Sequence, residues 1–447
     1  METEGWQALV HVCRLWRRLV LESPRRLNLQ LYCVPQTPAK VTLDVWPALP
    51  LIVCGDMASS GTDNIIAALG QHDRVSQVDL YGLADLQLEQ VSAAMLVPFP
   101  ELTHLQLFLK NGETARRVII PDSFLDGSAR RMRHLKLSGV PFPGLPKLQF
   151  SATHLFQLSL YNIPHSGYFS PGAIVALIST LSGLETLEFT FQSPQSCPDG
   201  QSRLPPSPKR SVIPALTYLR FKGVIEYFED LVAGIDTPQL DRLDIVFFNQ
   251  INFDIPRLAQ FINRTPKLRK QRDAHVQFDD NFVRVQLSPL GRSAIGYLRI
   301  AVSCSEPDWQ LSSIEQVCNS SLHPLSKVEG LYIEHEYSEL VWKDDAIGDT
   351  LWWQLLLPFI AVDNLYLSKE FSPGIAAALK ELVGDRMITT VLPSLRDISV
   401  KGLEPSGRLF RENVVQENIE QFVAARQLSD HTIAISDWYE YVDTESV

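Results

Sequence analysis

The chain has 447 residues, a formal net charge of −11 at pH 7 and a pI near 5.4. An acidic balance of this size excludes a general nucleic-acid binder, because such binding rests on basic surface meeting phosphate. Six cysteines, Cys13, Cys33, Cys54, Cys197, Cys304 and Cys318, are scattered without a C-x-x-C pair, so neither a structural zinc site nor a redox motif is signalled.

In chain order, the first expected element is a helix from Trp6 to Val20 with two apolar stripes. One runs through Trp6, Leu9, Cys13, Trp16 and Val20 and the other through Val12, Leu15 and Leu19, with Arg14, Arg17 and Arg18 between them. From Val75 onward one phrase keeps returning: apolar, two variable residues, apolar, one variable, apolar. It reads Leu102 to Leu107, Met132 to Leu137, Leu155 to Leu160, Leu184 to Phe189, Leu216 to Phe221, Leu240 to Ile245, Val328 to Ile333, Val362 to Leu367 and Leu395 to Val400, with Val75 to Leu80 opening the series. Its last two apolar positions are two apart and so share one face of a strand. Helical spacing follows at Pro171 to Leu184 and at Ile255 to Ile262. A strand and a helix per unit predict an α/β fold, a curved solenoid with a mainly parallel sheet on its concave face and helices on its convex face. Two segments break the rhythm. Gln192 to Ser211 is rich in proline and serine and is expected to be a disordered loop, with Ser207 and Ser211 as candidate phosphorylation sites. Ala274 to Phe278 and Val283 to Leu287 alternate around Asp279-Asp280-Asn281, which predicts a hairpin. Asp349 to Phe359, with Trp352 and Trp353, reads as a convex helix.

The L-x-x-L-x-L phrase, recurring 23 residues apart between Leu135 and Leu158 and 34 apart between Leu331 and Leu365, resembles leucine-rich repeats over roughly residues 75 to 400. The position of the usual Asn or Cys is held by Lys110, Val140, Ile163, Gln192 and Val224, so an irregular coil without an asparagine ladder is expected. Val12-Cys13-Arg14-Leu15-Trp16-Arg17, followed by Leu19, resembles the closing helix of an F-box. The Leu-Pro-x-Glu helix with which an F-box opens is not found after Met1, so the N-terminal half of the F-box is expected to be missing. Ser23 to Leu29 and Leu43 to Pro50 resemble the wording of fungal F-box proteins. These resemblances divide the chain into a partial F-box-like helix and linker at 1–31, a leucine-rich-repeat solenoid at 32–440 with the 192–211 insertion, and a tail at 441–447. They imply a substrate-recruiting subunit of an SCF-type cullin ubiquitin ligase, whose partners would be a Skp-family adaptor, a cullin and a protein target. Val12, Leu15, Trp16 and Leu19 would then meet the adaptor. A free-standing repeat scaffold or inhibitor with a degenerate F-box remains the alternative.

No catalytic motif, cofactor fingerprint or metal-ligand spacing is read in the chain, and a non-enzymatic protein is expected. His335-Glu336 sits on a strand, where neighbours point to opposite faces and cannot close on one ion. The first residues lack the pattern of a signal peptide, and Leu351 to Val362, the most apolar stretch, is too short to span a bilayer, so a cytoplasmic or nuclear protein without membrane contact is expected. The pleat names the binding surface. Phe108, Lys136, Tyr161, Tyr218, Arg220, Lys222, Arg242, Tyr332 and Tyr366 flank the strand leucines on the concave side, and their cations and rings suit a target with an acidic or phosphorylated element.

Overall fold

The computed structural model describes residues 11–23, 30–34, 39–45, 48–57, 62–110, 119–121, 123–127, 129–141, 152–196, 210–250, 253–289, 296–320, 322–335, 349–401, 410–428 and 431–437. The chain divides into two compact units, Met1–Pro205 with Ser211–Leu216, and Pro206–Arg210 with Thr217–Val447. Both are mixed α/β with mostly parallel strands.

In the first unit, β1 (Leu31–Cys33), β2 (Leu51–Asp56), β3 (Val75–Leu83), β4 (His104–Leu109), β5 (His134–Ser138), β6 (Gln157–Ile163) and β7 (Thr186–Phe191) pair in chain order, each parallel to the next. A short strand, β8 (Ser211–Val212), closes the unit. Among its described residues the helices include α1 (Arg14–Glu22), α2 (Ala39–Val45), α3 (Thr62–Leu69), α4 (Asp85–Ala94) and α5 (Pro171–Ile178). The register explains the repeated phrase. Leu105, Leu135, Leu158 and Leu187 are successive Cα partners, as are Leu107, Leu137, Leu160 and Phe189, and all eight side chains are buried. Each fully buried leucine contributes roughly 1.5–3 kcal/mol, so stacked ladders of them select one register. Helix α5 starts where Pro171 follows Ser170, whose Oγ accepts from the Ala173 amide at 3.2 Å.

Parallel strands β1 and β2 precede the phrase that opens at Val75, and Leu51-Ile-Val-Cys is continuously apolar without that spacing. One expectation is corrected here. The N-terminal helix is not continuous from Trp6: Cys13 is extended (φ −161°, ψ 169°) and caps α1, its Sγ accepting from the Trp16 amide at 3.4 Å. Trp6 and Leu9 lie outside the described residues.

The second unit contains β9 (Tyr218–Gly223), the short β10 (Ile235–Asp236), β11 (Arg242–Phe248), β12 (Asp273–Phe278), β13 (Phe282–Ser288), β14 (Tyr297–Ser303), β15 (Gly330–His335), β16 (Asn364–Leu367), β17 (Asp397–Val400) and β18 (Ala434–Asp437). The spatial order of its main sheet is β9-β11-β14-β13-β12-β15-β16-β17-β18. The expected hairpin is present: β12 and β13 pair antiparallel, β13 pairs antiparallel with β14, and β14 runs parallel to β11. Parallel order resumes from β12 to β15.

Helices α6 (Ile225–Ala233), α7 (Pro256–Arg264), α8 (Pro307–Asn319), α9 (Asp349–Leu356), α10 (Ser372–Glu381) and α11 (Phe410–Gln427) connect these strands. Neighbouring helices cap one another. Buried Glu229 on α6 accepts from the Arg257 and Leu258 amides of α7 at 2.9 and 2.8 Å, while Arg264 at the end of α7 donates to the Val232 and Ile235 carbonyls behind α6 at 2.5 and 2.9 Å. The free amides and carbonyls that every helix leaves at its ends are thereby satisfied in part by the adjoining helix. Helix α9 carries Trp352, buried against Phe278 and Phe371, and the half-buried Trp353, whereas Trp342, Trp438 and most of the Gln192 to Ser211 loop lie outside the described residues. Among the described residues no helix is long and apolar enough to cross a membrane.

Candidate functional site

Residues between the buried leucines project from the opposite face of each sheet, and parallel register sets equivalent side chains side by side about 4.8 Å apart. In the first unit this face brings three of the expected residues together. The Lys136 ammonium lies 5.4 Å from the ring centroid of Phe108 and 5.4 Å from that of Tyr161, and Tyr81 stacks on Phe108 at 4.7 Å. The small Ser138 stands between Phe108 and Tyr161 in register, which opens the gap that the lysine fills. His104 and His134 stack at 4.3 Å, and burial together with the neighbouring His134 and Arg133 holds the His104 imidazole below its ordinary pKa. Burial also raises the Asp79 carboxyl and lifts the Cys54 thiol to about 11. Toward β7 the face closes: Ser159 donates to Glu188 at 3.0 Å and both are buried.

In the second unit, Tyr218, Arg220 and Lys222 on β9 stand beside Arg242, Asp244 and Val246 on β11. Arg242 lies over the Tyr218 ring at 5.1 Å and Lys222 over Phe248 at 5.5 Å. Between the arginines sits Asp244, whose side chain is 0% exposed. Arg220 Nε reaches its Oδ2 at 3.4 Å, and Arg299 from β14 grips it with two bonds, Nε to Oδ1 at 2.8 Å and Nη2 to Oδ2. Burial lowers the Arg299 pKa, but its hydrogen bonds and attraction to Asp244 outweigh this and raise it. Two of the cations on this face are thus tied to one carboxylate, while Arg242 Nε lies 3.8 Å from Asp241 Oδ1.

Tyr332 and Tyr366, the remaining expected residues, stack at 4.3 Å with their planes 4° apart, and His275 extends the stack at 4.4 Å. Beneath it, the Glu334 carboxylate lies 3.2 Å from His275 Nδ1 and accepts from Gln277 at 2.6 Å, while Arg284 donates to Gln277 at 2.5 Å. Burial, Tyr366 and Asp273 push the Tyr332 phenol up. Arg299, His275, Gln277 and Arg284 were not among the expected site residues. All come from the hairpin and the strand after it, and their partners are named only by the pairing of β14 with β11 and of β12 with β15.

The expected adaptor contacts on α1 are open. Val12, Leu15, Trp16 and Leu19 are 65, 64, 47 and 53% exposed, and Val20 alone is buried among the described residues of this helix. Val12 precedes the Cys13 cap and so stands outside the helix proper. Leu15, Trp16 and Leu19 thus leave apolar surface uncovered on the nine residues of α1, with Val12 just before them. Among the described residues no group of His, Cys, Asp and Glu could hold a metal ion, and Glu336 lies outside them. No protein-family model matches this sequence, and no curated protein matches it.

Proposed function

We propose that the chain is a non-enzymatic protein-binding module built from irregular leucine-rich repeats, and that it recruits a target protein to an SCF-type cullin ubiquitin ligase. The observation that supports binding is the register itself: equivalent positions of successive phrases are Cα partners, so side chains such as Tyr218 and Arg242, or Tyr332 and Tyr366, are aligned on backbone already fixed by its neighbours. Little ordering entropy is then left to lose when a ligand docks. Lys222, Arg242 and Tyr218 suit an acidic or phosphorylated segment of the target, since arginine pairs with carboxylate or phosphate in a bidentate way and the ring supplies buried area. The open apolar residues of α1 favour an adaptor of the Skp family as the second partner, with the cullin beyond it.

The target surface is tested by capture with the intact chain and with a Lys222→Glu, Arg242→Glu double variant of unchanged thermal stability. Loss of such anchors costs at least about 2 kcal/mol, roughly thirtyfold in affinity. An unaltered set of captured proteins refutes the strand face as receptor. Adaptor binding is tested by titrating a purified Skp-family adaptor onto the chain and onto a Leu15→Glu, Leu19→Glu variant. Binding lost in the variant supports the ligase reading, and no binding by either chain favours a free-standing scaffold.

A further inference from the structure

The second unit carries a cavity of about 390 Å³, lined in part by Asn249, Asn281, Ser303, Ser305, Glu306 and Trp309. Its position follows from topology. From β11 the chain passes through α7 to β12, three places along the sheet; from β14, beside β11, it passes through α8 to β15, beside β12. Helix α7 packs against α6 and α8 against α9, and the two connections leave the carboxyl ends of the adjacent strands β11 and β14. The volume lies in the range of ligand sites.

The walls are held before any ligand arrives. Gln310, 1% exposed, donates to the Asp279 and Cys304 carbonyls, both at 2.7 Å, and the Cys304 amide donates to the Asn281 carbonyl at 2.9 Å, which joins the hairpin tip to the exit of β14. Asn249 donates to Cys304 Sγ at 3.6 Å. Against this fixed frame Trp309 is 52% exposed, a large ring left in water at the edge of a cavity. Among the described residues the lining contains one carboxylate, Glu306, two amides and two hydroxyls, and no cation.

We propose that this cavity receives a guanidinium group, the arginine side chain of a protein ligand. Guanidinium is planar and weakly hydrated, stacks on indole, and presents donors in a fork that the Glu306 carboxylate and the amide and hydroxyl oxygens can accept. An anion would meet Glu306 without a compensating cation among the described lining residues, and the charge of −11 on the chain draws cations toward it. The site is separate from the strand face and does not depend on it.

The test uses the full chain labelled with fluorotryptophan, the Trp309 signal being assigned by its loss in Trp309→Phe. N-acetyl-arginine amide is titrated against N-acetyl-citrulline amide, which has nearly the same shape and no charge. The arginine probe is expected to shift the Trp309 signal, with the citrulline probe at least about fivefold weaker. Glu306→Gln, at an exposed position, is expected to bring the arginine probe down to the level of citrulline. A Trp309 signal that arginine does not move, equal binding of the two probes, or undiminished arginine binding by Glu306→Gln would each overturn the assignment.

Discussion

Replacing Asp244 by asparagine removes the charge that holds Arg220 and Arg299 together. The Asp244 side chain is 0% exposed, Arg299 is 27% exposed and Arg220 is 40% exposed. Breaking a buried pair from one side costs about 3–5 kcal/mol, because the remaining charge stays desolvated. Arg299 keeps some water and Arg220 keeps more, so the exposed arginine adds little and the lower end, about 3 kcal/mol, is expected for Asp244→Asn. Urea unfolding followed by tryptophan fluorescence and far-ultraviolet circular dichroism would measure it, the two probes being compared because a chain of two units need not unfold in one step. An Asp244→Leu, Arg299→Met double variant fills the site with apolar volume and is expected to recover to within about 1 kcal/mol of the wild type. Should Asp244→Asn unfold within 1 kcal/mol of the wild type, the pair is not the buried constraint that its geometry describes.

Glu229→Ala, which strips two amides of α7 of their acceptor, is expected to destabilise by about 2 kcal/mol in the same assay. Burial, only partly offset by those amides and Arg257, raises the Glu229 pKa above 4.5, so its favourable contribution is complete below about pH 4.5 and fades as pH rises through the folded value; Glu229→Gln should lose that slope. For His104 the sign is opposite: its folded pKa lies below 6.5, so stability falls as pH drops from 6.5 toward the folded value, and His104→Gln should flatten that fall in thermal unfolding at stepped pH. Gly374→Ala would put a methyl group 2.8 Å from the indole nitrogen of Trp352, which is 3% exposed and packed on Phe278 and Phe371; a loss of about 1–3 kcal/mol is expected, and an unchanged melting temperature would count against this packing.

The strands that carried the spaced leucines were readable because Leu105 and Leu107, or Leu243 and Ile245, advertise a pleat with one buried side. The hairpin was readable for the same reason, from Ala274, Val276 and Phe278. Strands β1, β2 and β18 were not, being short or uniformly apolar without the phrase. Helical periodicity ran straight through Cys13, which is extended and accepts from the Trp16 amide, so that α1 starts only at Arg14. At the candidate site the rings and cations were legible one residue at a time, because alternation assigns each to a face. Their pairing was not: Asp244 meets Arg299 across 55 residues and His275 meets Glu334 across 59, and register at that separation is set by tertiary packing, not by local pattern. Trp309 gave no signal, since one aromatic in a helix reads as core until its exposure is known.

The placement of β14 beside β11 also sets a clock. A carboxylate that ends with no exposure to water is made 55 residues before the arginine that grips it with two bonds, so at about 5–20 residues per second it waits roughly 3–11 s for that partner to be synthesised. Until then Arg220 on the preceding strand is its neighbour in the ladder, and the outer edge of β11 faces water unpaired. The intervening hairpin closes within microseconds, ahead of the long-range pairing it must join. Nascent chains halted before Tyr297 should therefore display an open strand edge beside a half-neutralised acid, the state in which this protein most needs protection from its neighbours on the ribosome.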